Sequence, residues 1–272
     1  MKIAFRAAFS ALSLTIVSSA FAGTDIAYLQ NSDFGILGLD GYLTQFKADL
    51  VNDGNNVHAI SDVTAGSLSG VNTVYLQLTN TGNQYPLTSG QLAALSAFNA
   101  GGGRVIFQLE NYLWSGMGNS LFADLGLDMT QDTSGGIAFN GQVTFGDPSN
   151  YYLHHPNGDV NSFNCQWASG VVSINDSRVF SLADMNIAAN GGGGYTSVLP
   201  ALKRNALGAG SGEMFFLMDV NGMSAGTSAD QYLLYRNIFE GADNNAAVPE
   251  PASMAALGLG IAALARKRRK LA

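Results

Sequence analysis

The chain has few residues from which reactive centres are usually made. Only one cysteine, Cys165, stands among 272 residues, so no intramolecular disulfide can close and no cysteine-based zinc or iron–sulfur centre can be assembled. Its expected place is a buried one, as a small hydrophobe. Histidine is nearly as scarce, with three in all, and charged residues make up 12% of the chain against 47% hydrophobic ones. That balance excludes disorder for most of the length and leaves enough apolar material for a sizeable core. Basic charge is scarcer than the totals suggest. Seven of the thirteen basic residues (Lys2, Arg6, Arg266, Lys267, Arg268, Arg269 and Lys270) sit at the two ends, and the stretch between keeps six basic against nineteen acidic residues. A body of net charge about −13 repels nucleic acid and disfavours anionic lipid. It suits a solvated outer surface or, more weakly, bound calcium. Long apolar runs are also missing. The two longest, 7–17 and 254–265, fall short of the roughly 20 residues of a conventional membrane helix.

Both short runs have informative flanks. Residues 1–22 combine a basic start, the apolar stretch Ala7–Val17 and the small-x-small sequence Ala20-Phe21-Ala22. That order predicts a secretory signal peptide cut after Ala22, with the Sec translocon and signal peptidase as partners. At the other end, Val248-Pro249-Glu250-Pro251-Ala252 leads into the apolar segment 254–265 and the basic cluster 266–270. As a helix this segment would be about 18 Å long, against a hydrocarbon core of about 30 Å, so it spans a bilayer only marginally. The basic cluster would stay cytoplasmic and leave the body outside.

The order of Pro249-Glu250-Pro251, apolar run and basic cluster resembles the PEP-CTERM sorting signal of Gram-negative bacteria. The resemblance covers about the last 25 residues. It implies transient anchoring in the inner membrane, processing by the membrane protease exosortase near Pro249, Glu250 and Pro251, and delivery to the cell surface or an extracellular polysaccharide matrix, such as that of a biofilm. It says nothing of what the body does.

The body, expected at 23–243 ahead of a linker and sorting segment at 244–272, alternates short apolar runs with amphipathic ones. Strands are predicted at Ile26–Leu29, Val57–Ile60, Thr73–Leu78, Arg104–Leu109 and Glu213–Asp219. Helices are predicted at Tyr42–Val51, Thr88–Ala100 and Asp230–Phe239, with Asp53-Gly54 and Gly101-Gly102-Gly103 as stops. This alternation is the mark of right-handed βαβ crossovers, so the expected fold is α/β with a doubly wound, mostly parallel, flavodoxin-like sheet. From about 128 to 197 the helical period gives way to glycine-rich breaks and strand-like runs (Ile137–Phe145 and Val171–Leu182), the signature of a β-rich insertion.

The runs Ile26-Ala27-Tyr28-Leu29, Ser67–Leu76, Leu92–Gly103 leading into Val105-Ile106-Phe107, and Glu213–Asp219 before Tyr232–Phe239 resemble the class I glutamine amidotransferase-like fold. That family's chemistry depends on a cysteine on a sharp glycine-flanked turn after a strand. Here Glu110-Asn111-Tyr112 stands at the matching place, without cysteine or glycine. The resemblance therefore implies the fold without glutaminase activity.

In a doubly wound sheet ligands bind beyond the carboxyl ends of the strands. The polar residues expected there are Gln30 to Asp33, Thr79, Asn80, Glu110, Asn111, Asp219 and Asn221. Glu110 and Asp219 are the candidate catalytic pair of a secreted glycoside or ester hydrolase, with capping of local backbone as the alternative role. His154-His155 and Cys165 match no catalytic spacing, and adjacent residues of a strand point to opposite faces, so the histidines are read as surface or packing residues. Asn157-Gly158-Asp159 and Asp219–Gly222 are candidate calcium loops, though neither is an EF-hand. No other metal or cofactor is expected. Tyr112, Trp114, Tyr151, Tyr152 and Trp167 are candidate platforms for sugar rings. The sum is an exported surface or matrix protein, non-enzymatic and binding carbohydrate or another surface component, with the hydrolase as alternative.

Overall fold

A computed structural model of the protein describes residues 23–30, 38–78, 87–109, 115–132, 139–168, 170–186, 195–218, 220–224 and 226–241. Five short strands form a parallel unit: β1 (Asp25–Leu29), β2 (Asn56–Ile60), β3 (Thr73–Gln77), β4 (Arg104–Gln108) and β13 (Met214–Leu217), in the order β2-β1-β3-β4-β13. Every neighbouring pair in that order is parallel. Because β2 lies on one side of β1 and β3 on the other, the direction of winding reverses between β1 and β3, which is the switch point of a flavodoxin-like sheet.

Alternation along the strands explains why helices cover both faces. Ile26, Tyr28, Tyr75, Ile106, Phe215 and Leu217 join the core shared with α1 (Thr44–Asn52) and α4 (Ala229–Glu240). Ala27, Leu29, Val74, Leu76, Val105, Phe107 and Phe216 join the opposite core with α2 (Ser89–Ala100) and α3 (Ser115–Asp124). Strands β1, β3, β4 and β13 are therefore apolar on both sides, as parallel sheets require, while the edge strand β2 is partly exposed. On the first face Phe46 meets Tyr232 and Phe239 edge-on at 5.2 and 5.1 Å, contacts of about 0.5–1.5 kcal/mol each beyond the area they bury. Helix α2 starts with a full capping box between Thr88 and Gln91, in agreement with the start read from sequence.

Beyond β13 the sheet turns antiparallel. It continues through β12 (Tyr195–Leu202), β11 (Val179–Asn186), β6 (Phe139–Thr144) and β9 (Asn164–Ala168), while β10 (Val171–Ile174) pairs with β12 and with β5 (Met129–Gln131). A two-stranded ribbon of β7 (His154–His155) and β8 (Gly158–Asp159) lies apart from it. The run Val171–Leu182, expected as one strand, is two. Asp176 accepts hydrogen bonds from the backbone and side chain of Arg178 at 2.9 Å, making a turn that divides β10 from β11. Strand β12 holds Pro200 in its interior. The proline lies where the pairing with β11 shifts register between Ser181 and Ala183, so its missing N–H falls at an irregular point of the ladder.

Candidate functional site

At the carboxyl end of the parallel strands, three of them finish with the same residue type. Gln30 follows β1, Gln77 ends β3 and Gln108 ends β4. Gln77 and Gln108 are register partners, and Tyr28 pairs with Tyr75 two residues earlier. With a period of two, all three glutamines fall on the α1/α4 face and form a row along the sheet's rim at the switch point. Gln77 and Gln108 are buried, at 3% and 0% exposure. The Gln108 amide nitrogen donates to the carbonyls of Leu109 and, at 3.3 Å, of Leu217, whereas its Oε1 has no hydrogen-bond partner among the described residues. An unpartnered buried carbonyl costs about 1–3 kcal/mol, so this oxygen is an acceptor with unused capacity. Gly38 passes over the row: a Cβ there would stand 3.0 Å from Gln77 Oε1.

A charged cluster closes the β1 end of the row. The Tyr28 hydroxyl lies 2.7 Å from both Asp40 oxygens and donates to that carboxylate. Lys47, on α1, donates to Tyr28 Oη at 2.7 Å and to Asp40 Oδ1 at 2.6 Å, and its ammonium sits 4.8 Å from the Tyr28 ring centroid. Gln30 adds a bond to Asp40 Oδ2 at 3.1 Å. Burial works to raise the Asp40 pKa, but hydrogen bonds from Lys47 and Tyr28 outweigh it and hold the carboxyl below its ordinary value. Burial works to lower that of Lys47, and the bonds to Asp40 and Tyr28 raise it instead. Tyr28 is raised by burial, with Lys47 opposing. Asp40 and Lys47 thus stay charged and Tyr28 neutral at ordinary pH. None of the three is poised near neutrality for proton transfer, so the cluster is better suited to fixed recognition than to acid–base work.

Of the residues expected at this rim, Gln30 is placed there. Asn221 lies in a 3-10 turn, Val220–Met223, where its carbonyl accepts from the backbone and hydroxyl of Ser224. Asn31, Ser32, Asp33, Thr79, Asn80, Glu110, Asn111 and Asp219 lie outside the described residues, as do Tyr112, Trp114 and the side chain of Trp167. Tyr152 is no sugar platform: it is 2% exposed, stacks edge-on against Phe215 at 5.1 Å and donates its hydroxyl to Glu213. Tyr151 is half-buried against Tyr152 and His155.

Cys165 is buried, with Gln231 Nε2 at 3.5 Å from its sulfur. His154 is exposed and faces acceptors with both ring nitrogens, Asp159 at 3.0 Å and the Pro148 carbonyl at 2.9 Å. First the Asp159 bond and then the Pro148 carbonyl raise its pKa, because only the imidazolium donates from both nitrogens. His155 is buried, with Nε2 3.3 Å from the Gly241 carbonyl. In the candidate calcium loop, Asn157 donates to Glu240 and Asp159 is taken by His154. Among the described residues no group of three or more His, Cys, Asp or Glu is placed to hold a metal ion.

The residues missed from sequence are Tyr28, Asp40, Lys47, Gln77 and Gln108. One signal was available: the segments IAYLQ, TVYLQ and RVIFQ each run apolar and then stop at glutamine, and a repeated polar stop marks a common edge.

The sheet, with helices on both faces and its winding reversed between β1 and β3, belongs to the α/β class that ThuA-like proteins share. A protein from Bacteroides uniformis described as ThuA-like superposes with a TM-score of 0.56 at 13% identity, over 80% of this chain and 90% of that one. The mmIFT52 N-terminal domain gives 0.59 at 11% identity, over 81% and 99%. A cytoplasmic protein from Salmonella typhimurium gives 0.50 at 9%, over 79% and 97%. At these identities the likeness is one of fold. ThuA-like proteins share the amidotransferase-like fold class, and a relationship to the glutamine amidotransferases themselves is not established by it. No curated protein sequence matches the chain. The PEP-CTERM protein-sorting motif matches residues 247–270. The chain thus carries the signal that exosortase recognises and is an exported protein sorted to the cell surface through it. Among the described residues no helix is long and apolar enough to cross a membrane, and segment 254–265 lies outside them.

Proposed function

We propose that the body is a non-enzymatic binding module, freed from its signal peptide after Ala22 and displayed at the surface or in the polysaccharide matrix of a Gram-negative cell. In this reading the rim of Gln30, Gln77 and Gln108 takes up a carbohydrate. The observation that carries it is the buried Gln108 carbonyl, unpartnered among the described residues, in a row that ends two strands away at a charge cluster neutral overall. Amide groups offer donors and acceptors together, as vicinal hydroxyls need, and the paired Asp40 and Lys47 add directional contacts without attracting a charged ligand. An exopolysaccharide is the ligand that the sorting destination makes available.

One observation favours the hydrolase as a second reading. Gln108 and Leu217 are register partners on adjacent strands, and in the sequence Glu110 and Asp219 each stand two residues beyond them. A glycan array run beside a panel of glycoside and ester substrates separates the two readings. The binding reading expects saccharide binding that Gln108→Leu abolishes and Glu110→Gln with Asp219→Asn leaves in place. Turnover lost in either carboxylate variant would establish the hydrolase, and an array without any bound saccharide would rule out the carbohydrate reading.

A further inference from the structure

Both ends of the body meet at the edge of the sheet opposite the rim. Thr24, one residue before β1, donates its hydroxyl to the Glu240 carbonyl at 3.0 Å and its backbone N–H to Asn55 Oδ1 at 2.9 Å. Asn55 in turn donates to Glu240 Oε1 at 3.1 Å. Gly241, where α4 ends and the chain sets out toward the sorting motif, lies against Arg104 at the start of β4: a Cβ on Gly241 would stand 2.0 Å from Arg104 Nη1. Arg104 is 3.9 Å from Glu213, and Glu213 is 3.6 Å from Arg204. A continuous set of contacts thus joins both chain exits to the loop after β12.

That loop is unlike the rest of the surface. Lys203-Arg204 is the only pair of consecutive basic residues in the body. Both are exposed, and Leu207, three residues on, is one of four large hydrophobic residues left exposed among the described ones, at 37%. Lys47, Arg178, Arg204 and Arg236 are paired with Asp40, Asp176, Glu213 and Asp53, respectively, whereas Lys203 donates to the neutral Ser177 carbonyl at 2.8 Å.

We infer that, while the sorting tail is still in the bilayer, the body stands with this base toward the lipid surface and its glutamine rim outward, with Lys203, Arg204 and Leu207 as the membrane-facing residues. Tether length supports this orientation. Twelve residues separate Gly241 from the apolar segment at Met254, and they reach at most about 40 Å when fully extended. A body of this size is about 40 Å across, so an inverted arrangement would use the whole tether merely to pass the protein's own height. Charge acts in the same sense. The acidic remainder is repelled by anionic headgroups, while Lys203, bonded only to a neutral carbonyl here, is attracted by about 1 kcal/mol close to the surface, and Arg204 is offset by Glu213.

The inference rests on the sorting reading, and the test keeps the two apart. Full-length chain carrying either Ala209→Cys at the base or Ser61→Cys at the opposite end is reconstituted into vesicles of phosphatidylethanolamine with a minority of phosphatidylglycerol, then treated with a bulky, membrane-impermeant maleimide. Cys165 is buried and contributes little background. Relative to the same chains in detergent, Ala209→Cys is expected to react at least about fivefold more slowly in vesicles and Ser61→Cys within about twofold of its detergent rate. Adding Lys203→Glu and Arg204→Glu is expected to abolish most of that protection. Equal rates at the two positions on chains that float with the vesicles would overturn the orientation alone. Protection unchanged by the charge reversals would overturn the assignment of the contact residues, and chains that do not float would overturn the sorting reading together with the orientation.

Discussion

At the base of the parallel strands Arg104, Thr73, Glu213 and Tyr152 engage one another, whereas at the rim the buried Gln108 keeps a carbonyl oxygen without a partner among the described residues. Both ends bury polar groups under the same helices. The base ties buried charges to one another and so fixes where the chain enters and leaves, although Arg104 Nε and Asn99 Oδ1 there also lack a partner among the described residues; the open atom at the rim is a neutral amide oxygen, which suits a site for an exchangeable ligand. Substitutions at the two ends should therefore separate stability from binding.

The largest effect is expected from Arg104→Ala. Arg104 is 3% exposed, donates to Thr73 Oγ1 at 3.1 Å and faces Glu213. Its removal takes the hydrogen bond from Thr73, the packing of the buried side chain and one of the two cations near Glu213, which keeps Tyr152 and Arg204, a loss of about 2–3 kcal/mol. For a domain of this size that lowers the melting temperature by roughly 4–12 °C, and calorimetry should show it with saccharide affinity at the rim preserved. A rim that failed together with the base would break the division of labour.

The base should also respond to pH. Burial, helped by the neighbouring Asp53 carboxylate and opposed by Asn157 and Asn55, pushes Glu240 up to about 7. The folded state then holds a proton that the unfolded chain releases at its ordinary pKa of about 4.3. Stability from this group is fully present below that value and is lost as pH rises through about 7. Because Glu240 is partly exposed, the loss should be about 1–2 kcal/mol, and Glu240→Gln should flatten the profile between pH 4 and 8 in a urea titration. A smaller effect, about 1 kcal/mol, is expected from Thr88→Ala, which removes the capping box of α2; since α2 covers the other face of the sheet, binding at the rim should not change.

Much of the fold was legible because its signals are local. IAYL, TVYL and VIF are too apolar for anything but strands covered on both sides, and Thr88 with Gln91, and Gly101 to Gly103, mark α2 at both ends. Helix α3 was not read, since SGMGNSLFAD carries two glycines in its first four residues and shows little apolar period. Strand β12 was hidden by Pro200, which the sequence presents as a breaker and the shifted register tolerates. Tyr28, Asp40 and Lys47 were missed for another reason: they stand within twenty residues of one another but on separate elements, and meet only when α1 folds back on β1. Glutamines at strand ends look like ordinary polar stops until the register lines up their three strands.

The most direct test of the account is a calorimetric titration of the saccharide selected on the array into the wild-type protein and into Gln108→Leu, with melting temperatures recorded alongside. The expected result is a loss of affinity of at least about tenfold with stability lowered by no more than about 2 kcal/mol, since the leucine keeps the volume and removes an unpaired oxygen while the Leu109 and Leu217 carbonyls lose the bonds the amide donated. Undiminished affinity in a folded Gln108→Leu protein would contradict the assignment of the rim as the binding site.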